Sequence, residues 1–574
     1  MEEMKTIFFS HSIAKLVTKE EQTYGMARII VSVCFLNLLI ISFASAERPV
    51  FSDVYDIKGR ILLPYAELDE PFNAYFDAKA NKSRIDYYGE LQLTIQRPDT
   101  NQFFKIAYMV NKHGHTEQVC FSMDGSLLAP VNIQSVLPDL SSFQFSKRDL
   151  CQNFFSRLTA EAQCESWTYS YQFGSRVNKY LFLLRYNSDG IAIPVYYMMM
   201  GFDTLLGSHF DKYEIVYESY STKPINETIF DVADKFECRD FPGETGKQGL
   251  ALMNPIREFV HNVYDHVDEH FDKFTAKHDR NYTDESEEML RRKVFLHNYR
   301  FIMSQNRKNT HYQLAINHLA DRTDEEISKI RGRLIRTNSD FNGGLLFNKL
   351  DYDIEQIPDQ WDWRLIGAVT PVKDQAICGS CWSFGATGTM EGIYFVKTGK
   401  LLKLSQQQLV DCSWPEDNNG CDGGLDFQTY KYIMKSGGLA TEEDYGHYLG
   451  VDGICHDSSV KKAVKIKGFY NVTVGDPEAM KAAIYYHGPV SIAVDASQKT
   501  FSFYSHGVYY DPKCDPKNLD HQVLAVGYGV LYGQKYWLVK NSWSTYWGND
   551  GYILINQKHN DCGVLSDATF PLIE

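Results

Sequence analysis

Apolar and polar positions change rhythm twice along this chain. From residue 47 to about 245 they alternate in short runs, as in Leu91-Gln-Leu-Thr-Ile95, Phe104-Lys-Ile-Ala-Tyr108, Trp167-Thr-Tyr-Ser-Tyr171 and Tyr213-Glu-Ile-Val-Tyr217. A period of two carried by aromatic and β-branched residues predicts half-buried, mostly antiparallel strands. Asn187-Ser-Asp-Gly190, between Leu181–Tyr186 and Ile191–Met200, predicts a hairpin turn. Pro194–Phe202 reads as a buried strand rather than a binding motif. Phe241–Gly249 is dense in turn residues and reads as a linker. From 254 to about 330 the apolar period is helical and charge is dense, and beyond about 350 the chain is rich in Gly, Trp and Cys.

One more apolar run, Ile29–Phe43, follows Arg28 and precedes Ala44-Ser45-Ala46. A basic start, an apolar core and a small-x-small end predict a secretory signal. At 15 residues the run is shorter than the ~20 that span a bilayer, with a retained signal anchor as the alternative. Met26 is a more natural start than Met1, so residues 1–46 are expected to be leader and signal. Sequons at Asn81, Asn226, Asn281 and Asn471 fit that route and are candidate glycosylation sites.

Length and composition narrow the class. At ~100–200 residues per domain, 574 residues suggest three units. With 44% hydrophobic and 23% charged residues, intrinsic disorder, collagen and a multi-span membrane protein are excluded as overall classes. A formal net charge of −15 argues against a nucleic-acid or anionic-membrane binder. Cys34 lies in the expected signal, which leaves 11 of the 12 cysteines, so one thiol lacks a partner. Cys120, Cys151, Cys164 and Cys238 are an even set for which three connectivities are open.

Within the helical stretch, Glu287, Arg291, Phe295, Asn298, Ile302 and Asn306 are spaced 4, 4, 3, 4 and 4 and share one helical face. Glu287 and Arg291 form an i, i+4 ion pair. Spacing alone fits any amphipathic helix, but identity at all six positions resembles the ERFNIN helix in propeptides of cathepsin L-like, papain-family enzymes. Ala315-x-Asn317-x-Leu319-x-Asp321 resembles the Gly-x-Asn-x-Phe-x-Asp motif of those propeptides, with two of four positions changed. The resemblance implies an inhibitory helical prodomain, whose tail crosses the active-site cleft in the reverse direction to substrate.

Candidate chemistry follows at Gln375-Ala-Ile-Cys378-Gly-Ser-Cys381-Trp382-Ser-Phe384, a Cys-Gly-Ser-Cys-Trp pattern that resembles the papain-family nucleophile signature. His521 lies 140 residues beyond Cys381, and Asn541 lies 20 beyond His521. Amide hydrolysis needs an ionised nucleophile, and a free thiol with a pKa of ~8.5 is not one at neutral or acid pH. A helix N-terminus and an opposed His521 imidazolium stabilise the Cys381 thiolate; Ser383–Lys397 has the texture of that helix. His521 then protonates the leaving amine. The resemblance assigns Asn541 to orienting the imidazole, Trp543 to shielding that bond, and Gln375 with the Cys381 amide to the oxyanion. A lone Cys-x-x-Cys lacks the second ligand pair of a zinc site, so no metal and no cofactor are expected.

Pro358, Asp362-Trp363-Arg364 and Pro371-Val372 resemble the mature N-terminal segment, with cleavage close before Ile357. The expected organisation is a β-rich N-terminal domain (47–245), a helical inhibitor prodomain (250–350) and a papain-like peptidase domain (357–574). The fold class is α+β: a two-lobe peptidase with a helical inhibitory prodomain, preceded by the β-rich domain. The resemblance implies the disulfides Cys378–Cys421, Cys412–Cys455 and Cys514–Cys562, with Cys381 as the odd thiol. It also implies a main selectivity pocket at Gly424, Leu425, Asp426, Ala493, Leu519 and Asp567, with Trp543 in the substrate site. Acids at Asp426 and Asp567 predict tolerance of Arg or Lys there, unless one or both face solvent. Gln522, where a small residue is usual, is expected to crowd the neighbouring side of the cleft.

The architecture resembles the insect 26/29-kilodalton proteases, which implies an N-terminal domain retained as a non-covalently associated chain. The other expected partners are protein or peptide substrates and the chain's own prodomain as inhibitor, with no nucleic acid and no membrane in the mature form. Two functions stay open: a lysosomal or extracellular cysteine endopeptidase made as a zymogen, or a binding protein in which the N-terminal domain carries the main role.

Overall fold

A computed structural model describes residues 47–110, 116–154, 162–232, 235–241, 255–261, 265–308, 311–335 and 342–574. The signal segment, its start at Met26 and residues 242–249 of the expected linker lie outside the described residues.

Twelve strands form one N-terminal sheet. Two antiparallel meanders, Val54–Leu63 to Thr116–Asp124 and Gln144–Leu150 to Ser208–Ser221, join where Val54–Leu63 pairs with Ser208–Ser221. Only the two-residue strand Arg239–Asp240, beside Thr116–Asp124, runs parallel to its neighbour. Alternation sets the buried face: in Val54–Leu63 it places Tyr55, Ile57, Ile61 and Leu63 inside. Pro194–Phe202 lies in the strand Ala192–Asp203, which buries alternate residues rather than all of them. The turn at 187–190 forms because the Asn187 side-chain oxygen accepts the Asp189 and Ile191 amides while Gly190 takes φ 76°. The four cysteines of this region pair as Cys120–Cys238 and Cys151–Cys164.

The helices Asp265–Lys277, Glu285–Lys308 and Asp324–Lys329 follow. On the long helix Glu285–Lys308 the six-residue face has a physical reason at each position. Phe295 and Ile302 are buried, the Asn298 side-chain amide donates to the Ala320 carbonyl, and Asn306 exchanges two hydrogen bonds with the backbone of Leu314. Glu287 accepts from Thr283, and Arg291 reaches Glu287 at 3.5 Å but Glu326 at 2.6 Å, so its main partner is not the one helical spacing suggested. The all-helical expectation for 254–330 misses Tyr312–Leu314, a short strand that pairs antiparallel with Tyr504–Tyr509.

A second face of the same helix meets the N-terminal sheet. The Lys293 ammonium donates to the His209 carbonyl, His297 bonds the Phe210 carbonyl, Arg300 pairs with Asp211 at 2.8 Å and Glu258 at 2.6 Å, and Ser304 and Arg307 both bond Glu70. Arg307 reaches both Glu70 oxygens at 2.7 Å, and the Glu70 side chain is 2% exposed. The positions 293, 297, 300, 304 and 307 are again spaced by fours and threes.

Downstream, the peptidase region forms two lobes. One packs the helices Gln406–Cys412 and Asp426–Ser436 with the helix Cys381–Thr398, whose other side lies on the strand His521–Leu531 of the second, sheet-built lobe. Gly385 and Gly388 face that strand so closely that an added Cβ would lie 2.8 Å from Gln522 and 2.7 Å from Leu524. In this ten-stranded sheet both edges come from the segment ahead of the peptidase: Tyr312–Leu314 at one end, and Leu345–Leu346, parallel to Ile466–Asn471, at the other. Disulfides join Cys378–Cys421, Cys412–Cys455 and Cys514–Cys562, and Cys381 is the free cysteine among the described residues.

Breaking a buried ion pair by removing one partner leaves an uncompensated charge. Glu70→Ala is therefore expected to cost ~3–5 kcal/mol of the docking between the long helix and the N-terminal sheet. Urea denaturation of the full chain checks this; a midpoint equal to that of the unchanged chain contradicts it.

Candidate active site

The two lobes meet at Cys381, the first residue of its helix, which follows Ser380 and is fully buried. His521 opens the strand His521–Leu531, whose next residue, Gln522, turns its backbone amide to Cys381, and whose neighbouring strand Gln534–Lys540 ends just before Asn541. The antiparallel register brings Asn541 back beside His521, and the two side chains bond at 2.8 Å between Nε2 and Oδ1. The oxygen can only accept, so Nε2 carries the proton and the other ring nitrogen, Nδ1, is bare and unpartnered. The Trp543 ring lies over the imidazole with centroids 4.6 Å apart and is 1% exposed, which keeps water from that bond.

Gln375 is held from both ends. Its amide N–H donates to the Ser542 carbonyl at 2.9 Å, and the Ser542 hydroxyl donates to its side-chain oxygen at 2.6 Å. The side-chain nitrogen is thereby aimed at the cleft, where it donates to the Ile330 carbonyl of the pro-segment and to the Cys378 carbonyl, both at 2.8 Å. Ser542 is a positioning residue that the sequence shows only as the middle of Asn541-Ser542-Trp543.

The pro-segment fills the cleft. Gly332 presses on Gly379 so closely that a Cβ there would sit 1.7 Å from the Gly379 oxygen. The Gly424 amide donates to the Gly332 carbonyl at 2.9 Å, the Leu334 amide donates to the Gly424 carbonyl at 3.2 Å, and Arg333 bridges parallel to Gly424. Burial pushes the Cys381 thiol up to about 12, against the opposing pull of the Gln522 and Gly332 amides. Burial also pushes His521 down to about 3, against the Asn541 bond and reinforced by the Arg331 charge. Burial thus works against the charged form of each group in this covered state, whereas the thiolate–imidazolium pair expected from the sequence concerns the open cleft.

The expected selectivity pocket is occupied by Arg333, 7% exposed. Its guanidinium bonds Asp567, the Leu519 carbonyl at 3.0 Å and the Gln522 side-chain oxygen at 3.1 Å. Gln522 thus lines this pocket rather than crowding its neighbour. Asp426 does not face solvent and does not bond Arg333; it is buried behind Gln522, accepting from Gln522, Ser491 and Thr569. Burial first, and then the Asp567 charge, raise Asp426 to about 6. Leu425, Ala493 and Leu519 are buried, and the Ala493 amide donates to the Asp567 carbonyl. Of the sequon residues, Asn81, Asn226 and Asn281 are exposed, whereas Asn471 is half-buried and exchanges two amide hydrogen bonds with Asn342, a contact a glycan would compete with.

A buried thiol at a helix start, a bare imidazole nitrogen on the strand packed against that helix, and a pro-segment seated over both define the class: a cysteine peptidase in its zymogen form. Comparison with known proteins agrees. The model of the papain family of cysteine proteases matches residues 357–572, and that of the cathepsin propeptide inhibitor domain matches 271–327. A cathepsin L-like peptidase of Aedes aegypti is 45% identical over 327 residues, covering 54% of this chain and 95% of its own. Cathepsin K of Mus musculus is 39% identical, covering 56% and 98%. The solved structure of digestive procathepsin L2 from Tenebrio molitor larval midgut superposes with a TM-score of 0.50 at 34% identity, covering 53% of this chain and 99% of that one. The chain belongs to the papain family of cysteine proteases, as a cathepsin L-like endopeptidase with a propeptide and an added N-terminal domain.

The seal over the site also carries two half-buried histidines, His278 and His318. His318 is pushed down to about 3 by burial and by the neighbouring His278, Arg280 and Arg322, and His278 to about 4 by burial; both rings lie near Tyr546 of the peptidase region. Below their ordinary value of ~6.5 the undocked prodomain binds protons that the docked one refuses, so docking weakens as pH falls from 6.5 toward 4 and 3. His318→Gln is expected to move the midpoint of acid activation about 0.5 pH unit lower, read as peptidase activity after incubation across pH 3–7; an unmoved midpoint contradicts it.

Proposed function

We propose that this zymogen, once its pro-segment is removed, hydrolyses peptide bonds in proteins through Cys381 and His521. The observation that carries this reading is a set of buried contacts under a removable segment: the Gln522 amide, next to His521, turns to Cys381, His521 bonds Asn541, and Gln375 is covered by Ile330. When water enters the cleft the burial that works against charge on both groups is relieved, and the helix N-terminus and imidazolium stabilise the thiolate. The Cys381 sulfur attacks the carbonyl carbon. The carbonyl oxygen takes the place of the Ile330 oxygen on the Gln375 amide, which stabilises its developing charge. His521 Nδ1 gives its proton to the leaving amine, and a water deprotonated by the same nitrogen hydrolyses the thioester.

The domain reading is a leader (1–46), the N-terminal domain (47–245), the prodomain (250–350) and the peptidase (357–574), acting in the lysosome or outside the cell. No described helix is long and apolar enough to cross a membrane. The N-terminal domain is read as a separate, non-covalently associated chain, since its described disulfides are internal; the described ion pairs that leave it run to the long prodomain helix, so that helix is the partner that holds it in the zymogen.

Acid-activated protein is expected to be labelled at Cys381 by an epoxide thiol inhibitor, and Cys381→Ser to lose both label and activity. Gln375→Ala is expected to lower kcat by roughly 10²–10³ while retaining the label. Failure of Cys381 to take the label, with the chain folded and processed, overturns the assignment and leaves a binding role for the N-terminal domain.

A further inference from the structure

The three parts of the chain meet around a cavity of about 630 Å³, and none of the catalytic residues named above lines it. One wall is the N-terminal sheet. Alternation along Gln102–Val110 turns Lys105 and Ala107 to one side, and the ladder sets Phe121 beside Lys105 on that same side. The prodomain supplies Phe259 from the helix Ile256–Val260 and Met303 from the long helix, and the peptidase region borders the cavity at His506. A volume in the ~300–1,000 Å³ range and an apolar lining with a few polar groups are the features of a small-molecule site.

One charge in this lining is unanswered. Lys105, half-buried, makes no ion pair or hydrogen bond with another described residue, and its ammonium lies 5.6 Å from the centroid of the Phe241 ring. The neighbouring charges are already matched. Arg307 holds both oxygens of Glu70, and Glu258, the acid among the described lining residues, bonds Arg300 at 2.6 Å. Burial first, and then the like charge of Arg307, lower the Lys105 ammonium to about 8. This lysine is therefore partly withdrawn from water and feels a second cation. An anion brought beside it would stabilise it.

We infer that the cavity binds a monoanionic alkyl carboxylate, its headgroup on Lys105 and its chain along Ala107, Phe121, Phe259 and Met303. A charge-assisted hydrogen bond fixes the head, and the apolar lining takes the chain. The walls come from all three parts, so an occupant favours the assembled zymogen over its separated pieces. This site stands apart from the peptidase chemistry and does not depend on it.

Isothermal titration of the unprocessed full chain at pH 7, where both lysine and carboxylate are charged, tests it. The probes are decanoate, decan-1-ol and decyltrimethylammonium, which share a chain and differ in headgroup charge. Decanoate is expected to saturate at one per chain and to bind about tenfold tighter than decan-1-ol, the difference made by one hydrogen bond between charged groups. Decyltrimethylammonium should bind weakest. Lys105→Met should weaken decanoate about tenfold and leave decan-1-ol unchanged, whereas Lys105→Arg should keep the preference. Absence of saturable decanoate binding overturns the inference. So does equal affinity for decanoate and decan-1-ol, a preference for decyltrimethylammonium, or a decanoate preference that survives Lys105→Met. Where Lys105→Met does not fold, the headgroup preference of the unmodified chain decides.

Discussion

The structure is organised around excluding water from one sulfur. A thiol and an imidazole side by side exchange a proton readily when solvated, and neither ionises when both are buried. The exclusion depends on Gly332, since any side chain there would run into the Gly379 carbonyl. A glycine has no side chain with which to hold itself in place, so its neighbours must do so. Arg331 and Arg333 anchor it on either flank, and the Ile330 carbonyl occupies the Gln375 amide. Behind them Asn317 donates to the Ser502 carbonyl, and Asp321, 1% exposed, gathers Arg280 and Tyr282.

The long helix Glu285–Lys308 carries this arrangement outward because it is polar on two sides. One face grips the loops that lead to Gly332, through Arg291 to Glu326, Asn298 to Ala320 and Asn306 to Leu314. The other is seated on the N-terminal sheet by Arg300 and Arg307, both paired with buried acids. Buried ion pairs add little net stability relative to apolar packing, but they are intolerant of misplacement. Their presence here fixes the helix in rotation and register, and the N-terminal domain thereby bears on the cleft without any described ion pair or hydrogen bond to the peptidase region.

Legibility in the sequence followed the range of the interactions. The alternation of the N-terminal strands, the turn at Asn187 and the helix beginning at Cys381 depend on near neighbours, and each could be read. The candidate polar residues of the site came from their resemblance to the family's motifs in kind, order and offset, and the hydrogen bonds His521–Asn541 and Gln375–Ser542 join residues that lie far apart along the chain. What could not be read depends on partners far along the chain. The stripe Lys293, His297, Arg300, Ser304 and Arg307 looks solvated until the sheet is placed against it. Gln522 looked like an obstruction because Asp426, 96 residues away, is what turns it into an acceptor. The burial that works against charge on Cys381 and His521 belongs to the covered state and to no residue alone.

The two short strands that border the peptidase sheet have a further meaning. Tyr312–Leu314 and Leu345–Leu346 pair with the outer strands Tyr504–Tyr509 and Ile466–Asn471, and both lie ahead of the cleavage expected before Ile357. A sheet edge with open N–H and C=O groups is a template for unwanted pairing with another chain. By pairing with both edges the pro-segment denies them to other chains, separately from its hold on the nucleophile. An enzyme cut before Ile357, as proposed above, would open its cleft and bare two sheet edges in the same step, and how long it lasts would then be tied to how well those edges stay unpaired.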